Sequence, residues 1–173
     1  LMMKYFEELK KSMEWLASKD DTFFIGQAVE VPGTAMFNTL KDIDTKKRLE
    51  LPVFEDTQMG MSIGMALTGK RIISIFPRWN FLLCATNQLV SHVDKLPIIT
   101  DNKVVPNLII RTSVGSQRPL FPGYQHIGNM SDAYRQMLSK VEIIELKEET
   151  HQIHLPVNQT FSTWNIICKK NLS

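Results

Sequence analysis

One carboxylate stands out for its setting. Glu55 lies in Leu51-Pro-Val-Phe-Glu55-Asp-Thr-Gln-Met-Gly60, at the joint between an extended segment and a glycine-punctuated helix. A glutamate at the carboxyl end of a strand, just before a helix, occupies the place where open α/β sheets bind ligands. Other residues able to do chemistry are scattered. His126 sits in a long loop, where a histidine taken alone is more often merely solvated. His151-Gln-Ile-His154 offers two imidazoles but no third ligand nearby, so no metal site is expected. Cys84 and Cys168 are distant and make neither a disulfide framework nor a zinc site. Gly64-Met-Ala-Leu-Thr-Gly69-Lys70 meets the first seven positions of a phosphate-binding P-loop, but Arg71 stands where Ser or Thr must hold magnesium. The run also closes a helix and precedes a strand, the reverse of a P-loop's context. The glycines are spaced wrongly for a dinucleotide fingerprint as well.

Periodicity supplies the elements that must position these residues. Leu49 to Phe54 reads as a strand ending at Glu55, and Asp56 or Thr57 offers a side-chain oxygen to cap the next helix. Met59, Ile63, Ala66 and Leu67 share that helix's apolar face. Gly69 stops it, Lys70 and Arg71 suit its negative end, and Ile72 to Phe76 resumes as strand. Gly60 and Gly64 lie on one face, and each costs about 1 kcal/mol against alanine, so a close approach should need them. Tight packing against a neighbouring helix of the same chain would satisfy that spacing.

Upstream, Met2, Tyr5, Phe6, Leu9, Met13 and Leu16 form the apolar face of a first helix ending near Lys19-Asp20-Asp21. Thr22 to Gly26 is a short apolar run suited to a buried parallel strand. Gln27 to Thr34 is a loop at its carboxyl end, and a short helix spans Ala35 to Leu40. Downstream, Pro77-Arg-Trp-Asn80 leads into a helix carrying Phe81, Ala85, Leu89, Val93 and Leu96, which Pro97 ends. Asn107 to Thr112 is another buried strand, and Gly115 to Asn129 is a long loop of the kind that is usually functional. Ser131 starts a helix through Leu138, and Val141 to Leu146 is the last clear strand. Strands apolar on both faces, alternating with helices, argue for a doubly wound, mainly parallel α/β sheet with helices on both faces. Residues 1–147 read as the domain, and 148–173 as an atypical tail without sustained period.

With 43% hydrophobic and 22% charged residues, the chain has the composition of an ordinary soluble globular domain. Its formal charge of +2, with both signs mixed along the chain, gives no case for nucleic acid. No apolar run approaches the roughly 20 residues needed to span a bilayer, and the charged N-terminus is no signal peptide. The cytoplasm is the expected location.

The order of the pieces carries a resemblance. Gly26 closes an apolar strand; Pro-Val-Phe-Glu55 precedes a small-residue helix; Gly69-Lys-Arg71 leads into a strand; Phe76-Pro-Arg-Trp-Asn80-Phe81 precedes a helix with Asn87-Gln88; a strand ends in Arg111; and Gln125-His126 lies in the long loop. Together, over roughly residues 4–147, they resemble the pyrimidine-binding domain of thiamine diphosphate enzymes. The likeness is to beta subunits of 2-oxo acid dehydrogenases and, more loosely, to transketolase. It implies that Glu55 hydrogen-bonds the ring nitrogen of the cofactor's aminopyrimidine and so favours loss of the thiazolium proton. Phe81 matches the aromatic that packs on the pyrimidine face; read without the family, it is a core phenylalanine opening a helix. His126 matches a histidine that handles protons near the thiazolium, which suits imidazole near neutral pH. Gln27, on the loop nearest the cofactor, completes the cofactor-binding set.

The chain departs from that pattern in places. Gln27-Ala28 replaces the family's acidic pair, and Arg118-Pro-Leu-Phe-Pro-Gly-Tyr-Gln125 is bulkier than the usual small-residue run. The chain stops where beta subunits continue into a second domain. It has no Gly-Asp-Gly followed by Asn, so magnesium and the diphosphate would be held by an alpha-like partner subunit. The resemblance further implies self-association through the Gly60/Gly64 helix. Two readings remain: a subunit of a split enzyme acting on a small-molecule 2-oxo acid or ketose-like substrate, and a non-catalytic relic or interaction module.

Overall fold

The computed structural model describes residues 2–115, 121–146 and 164–169, with 2–5 and 164–169 described by their backbone alone. Helix α1 (Met2–Ala17) leads into strand β1 (Thr22–Gly26), followed by α2 (Ala35–Asn38), β2 (Arg48–Glu50), α3 (Glu55–Leu67) and β3 (Arg71–Ile75). After these come α4 (Trp79–Leu82), α5 (Leu96–Ile99), β4 (Leu108–Ser113), α6 (Ser131–Met137), β5 (Val141–Leu146) and β6 (Trp164–Lys169). The six strands form one parallel sheet in the order β2-β1-β3-β4-β6-β5.

Alternation along each strand divides the core between two faces. Phe24, Ile73 and Ile109 pack with Leu9, Met13 and Leu16 of α1 and with Met36 and Leu40. Ile25, Ile72, Leu108 and Ile110 face the other way, against Met59 and Ala66 of α3, Trp79 and Leu82 of α4, and Tyr134 of α6. This is the doubly wound α/β arrangement expected from the sequence. The chain leaves β1 for β2 on one edge and then crosses to β3 on the other side, so a topological switch falls between β1 and β3. Ligand crevices in open parallel sheets form at such points, beyond the carboxyl ends of the strands.

Several local expectations are corrected. The strand expected over 49–54 is confined to Arg48–Glu50: Pro52 has no N–H to give, and Phe54 N–H turns back onto its carbonyl at 2.8 Å. Glu55 is therefore the first residue of α3, not the last of a strand, and neither Asp56 nor Thr57 caps the helix. Leu67 is exposed, and the buried face of α3 runs through Glu55, Gln58, Met59, Ser62 and Ala66. A Cβ built on Gly60 or Gly64 would meet nothing within 4 Å, so no neighbouring helix of this chain uses their close approach. The helix expected from Phe81 to Leu96 is a series: α4, a 3-10 turn at Leu83–Ala85, a π-helical segment at Gln88–Val93 and α5. Trp79 and Leu82 take the buried positions at its start, and Pro97 lies in the first turn of α5, where its missing N–H leaves no bond unmade. Beyond Leu146, β6 adds a strand between β4 and β5, in a stretch whose sequence has no strand-like alternation. The expected pair His151 and His154 lies outside the described residues, as does Arg118.

One buried carboxylate fastens the far side of this fold. Asp94 is fully buried; its Oδ1 accepts the N–H groups of Ser139, Lys140 and Val141 at 2.9, 2.6 and 3.0 Å, and its Oδ2 takes the Ser139 hydroxyl and the Lys95 ammonium. Burial pushes the Asp94 carboxyl up, but Lys95, the Lys140 and Val141 amides and the Ser139 hydroxyl outweigh it and bring the pKa to about 2. Because the folded value lies below the ordinary 3.8, this stability is fully present above about pH 4 and is lost as pH falls through 2. A shift of that size corresponds to about 2 kcal/mol. Asp94→Asn should lower the urea-unfolding free energy at pH 7 by about 2 kcal/mol or more. It should also remove the part of the stability loss between pH 4 and 2 that the wild type shows; equal slopes in both proteins would contradict this role.

Candidate functional site

At the carboxyl end of β1 the backbone passes very close to its neighbours. A Cβ on Gly26 would lie 2.2 Å from the Ile75 carbonyl oxygen and 2.6 Å from Gln58 Nε2, and the residue's φ of +136° is open only to glycine. The Gln58 amide fills the space beneath, donating to the Ile75 carbonyl at 2.9 Å and to Ser74 Oγ at 3.1 Å, while Ser62 Oγ joins Ser74 at 2.9 Å. Gln58 Oε1 and Gln27 Nε2 are both buried without a partner among the described residues. Glu55, 7% exposed, is one helical turn before Gln58 on the same face of α3. Among the described residues nothing hydrogen-bonds or ion-pairs its carboxylate. The N-terminal end of α3 contributes a favourable field for the negative charge, its partial positive charge falling on the first turn.

A second group gathers around the long loop. Phe81, half-buried, and His126 meet with ring centroids 5.8 Å apart at 58°. Gly115 makes this possible, since a Cβ there would sit 1.8 Å from the His126 carbonyl oxygen. His126 Nδ1 and Asn80 Oδ1 are buried without a partner among the described residues. Ser113 Oγ donates to the Pro77 carbonyl at 2.6 Å, fastening the end of β4 to the start of the Phe81 segment. Gln88, in the π-helical segment, reaches Asp56 at 3.3 Å and so ties that segment to the first turn of α3. Single π-helical turns inside helical runs are frequent beside functional sites.

The structure thus brings Phe81 to His126 and sets Gln27 and Glu55 about the β1/β3 switch; no hydrogen bond or ion pair joins the two groups. A residue not anticipated from the sequence is Glu50, the last residue of β2. Its Oε1 accepts Ala28 N–H at 2.8 Å, and its Oε2 accepts those of Val29 and Glu30 at 2.6 and 2.7 Å. The available signal was an acid ending a short strand beside a loop that lacks the acids expected of it. Among the described residues, no cluster of His, Cys, Asp or Glu could hold a metal ion, and no helix is long and apolar enough to cross a membrane.

No protein-family model matches the chain. Its sequence is 29% identical over 144 residues to the pyruvate dehydrogenase E1 component subunit beta of Gracilaria tenuistipitata var. liui, covering 80% of this chain and 43% of the relative. The same subunit of Porphyra purpurea is 30% identical over 144 residues, covering 80% and 42%, and that of Cyanidium caldarium 28% over 124 residues, covering 69% and 38%. The chain therefore spans less than half the length of these curated relatives. A solved structure of a split gene transketolase, an inactive beta4 tetramer, superposes with a TM-score of 0.66 at 12% identity, covering 95% of this chain and 50% of that one.

Gly115→Ala should push the His126 turn away from Phe81 and cost about 1–3 kcal/mol, as overpacking against backbone does. The ring protons of His126, shifted in the wild type by the neighbouring aromatic face, should move toward random-coil positions in an NMR spectrum. Unchanged shifts would show that the loop can yield without losing the pair.

Proposed function

The chain is similar to the pyrimidine-binding domain that beta subunits of thiamine diphosphate-dependent enzymes carry, and from that premise we propose that it is the pyrimidine-domain subunit of a split enzyme acting on a 2-oxo acid or ketose-like substrate. One observation carries the reading: Glu55 is a buried carboxylate with no partner among the described residues, at a helix start beside the sheet's switch point. The side chain keeps only a narrow opening to the surface and has no fixed partner among the described residues. A ligand nitrogen that shares a proton with it supplies that partner. The unpartnered Gln27 Nε2 and Gln58 Oε1 and the half-buried ring of Phe81 fit a flat heteroaromatic with donors and acceptors on its rim.

Thiamine diphosphate, when bound, supplies a thiazolium carbon acid that stabilises a carbanion next to a carbonyl. Glu55 holds a proton between its carboxyl oxygen and the aminopyrimidine ring nitrogen. Phe81 offers a ring face to the pyrimidine, and Gln27 a side-chain N–H. His126 moves protons on the substrate side, with the Phe81 ring orienting its imidazole. The diphosphate and its magnesium are held by an alpha-like partner subunit, which this reading requires.

A second reading is a self-associated assembly without turnover. It is favoured by the face of α3, where Gly60 and Gly64 meet nothing and Met61 and Leu67 are exposed, continuous in sequence with exposed Val53 and Phe54. The split gene transketolase neighbour is itself an inactive beta4 tetramer. Gly64→Leu should fill the groove that lets two backbones approach and weaken assembly more than folding. Sedimentation velocity at high concentration checks this; a wild type that stays strictly monomeric and captures no partner would refute it.

The enzyme reading is tested by Glu55→Gln in the complex with the diphosphate-binding subunit. Glutamine keeps the size and still hydrogen-bonds the ring nitrogen but cannot share a proton with it. Cofactor proton exchange with deuterium should slow by about a hundred- to ten-thousandfold. The melting temperature should fall by no more than corresponds to the few tenths to about 1 kcal/mol that a helix N-terminal acid is worth, because Glu55 has no bonded partner among the described residues. If Glu55 were only a helix N-terminal acid, its replacement would cost a few tenths to about 1 kcal/mol and leave exchange untouched.

A further inference from the structure

The loop after β1 carries no acid at its first two positions, Gln27-Ala28, yet it is organised around a carboxylate that comes from another strand. Three successive N–H groups, of Ala28, Val29 and Glu30, converge on Glu50. Such a concave run of amides is an anion-binding nest, and it needs a left-handed residue to turn the donors inward. Ala28 supplies it at φ +59°, a conformation that a non-glycine residue keeps only when something holds it there. The holding group arrives in register: Glu50 is the parallel-sheet partner of Gly26, and Leu51 N–H donates to the Gly26 carbonyl at 2.8 Å. On the other side Gln27 N–H donates to the Ile75 carbonyl at 3.2 Å. Gln27 is thereby clamped between β2 and β3 at the switch point, with its side chain buried and its Nε2 unpartnered.

We propose that Glu50 is a positioning residue: its carboxylate fills the amide nest of residues 28–30 and so holds the Gln27 side-chain N–H ready for the bound cofactor. The part concerning the cofactor rests on the function proposed above; the nest itself does not. Glu50 supplies charge-assisted acceptors to all three donors, which no neutral side chain of its size can do at once. Glutamine would place an N–H₂ against at least one N–H. Alanine would vacate the nest and leave three donors open to a small anion.

In the full chain, Glu50→Ala should speed hydrogen exchange at the amides of Ala28, Val29 and Glu30 by about tenfold or more. Sodium formate, but not sodium chloride at equal ionic strength, should restore their protection, because formate reproduces the missing carboxylate. Glu50→Gln, which keeps the packing, should show the same loss at one or two of the three amides and guards against a mere folding defect. In the complex with the diphosphate-binding subunit, Glu50→Ala should raise the cofactor KM about tenfold with kcat little changed. Formate should reverse that rise, and adding Glu50→Ala to Gln27→Ala should have little further effect on KM. Unchanged exchange at residues 28–30, or protection that formate does not restore, overturns the nest. Restored protection with an unmoved KM overturns the positioning role alone. Failure of the enzyme reading shows separately, as unaltered proton exchange in Glu55→Gln.

Discussion

The absence of a side chain at Gly26 is the constraint from which the rest of the site follows. With the Ile75 oxygen and the Gln58 amide both inside van der Waals reach of where a Cβ would stand, β1, β3 and α3 meet at a single point. Parallel strands set about 4.8 Å apart can be brought to such a junction only where one backbone is bare. Gln58 then reads the spacing: its amide spans from the helix to the Ile75 carbonyl and to Ser74, and Ser62 closes the polar cluster one turn later. Once Gln58 is seated, helical geometry leaves Glu55 no choice but to lie one turn earlier, on the same face and at the mouth of the sheet.

Three carboxylates in this chain, two buried and one partly buried, show what a partner does for a charge drawn into the fold. Asp94 and Glu50 each take three consecutive backbone N–H groups, from a turn and from a loop that would otherwise leave those donors unmet. Both are structural in the same sense: the charge is used up within the fold. Glu55 is less buried than Asp94 but more buried than Glu50, and nothing among the described residues uses its charge. That contrast separates it from the other two more sharply than sequence position does.

Much of this is legible in the sequence, for identifiable reasons. Runs such as Thr-Phe-Phe-Ile-Gly and Leu-Ile-Ile-Arg-Thr-Ser are apolar on both faces because both faces are covered, and that composition alone indicates a parallel sheet. Phe81 and His126 could be paired only through the family resemblance, since the 44 residues of intervening chain carry no local signal that links them. The end of β2 is not legible because Leu51 and Val53 look like strand, whereas Pro52 and the Phe54 turn stop the ladder after Glu50. The sequence offers Glu50 only as an acid near a loop without its expected acids; the nest itself is made by backbone conformation, and nothing in the letters Ala-Val-Glu announces a left-handed alanine. Strand β6 is not legible because the residues around it lack alternation, while its place between β4 and β5 comes from tertiary pairing that no local pattern encodes.

The unmatched polar atoms give the site its direction. A helix N-terminus stabilises an adjacent carboxylate by about 0.3–1 kcal/mol, and no described residue adds a hydrogen bond to the Glu55 oxygens. The field of α3 therefore holds the charge while leaving it able to take a partner. Gln58 Oε1 and Gln27 Nε2 add an acceptor and a donor left open beside the same strand ends. A chain selected only for stability would replace such atoms with apolar ones of the same shape, which is nearly neutral or better for the fold. Buried polar atoms without a described partner occur elsewhere too, at Thr22, Arg48, Asn80, Thr112 and His126, but at the switch point an open acceptor and an open donor stand beside a carboxylate that no described residue uses. A partner that fits them arrives from outside the chain with complementary donors and acceptors.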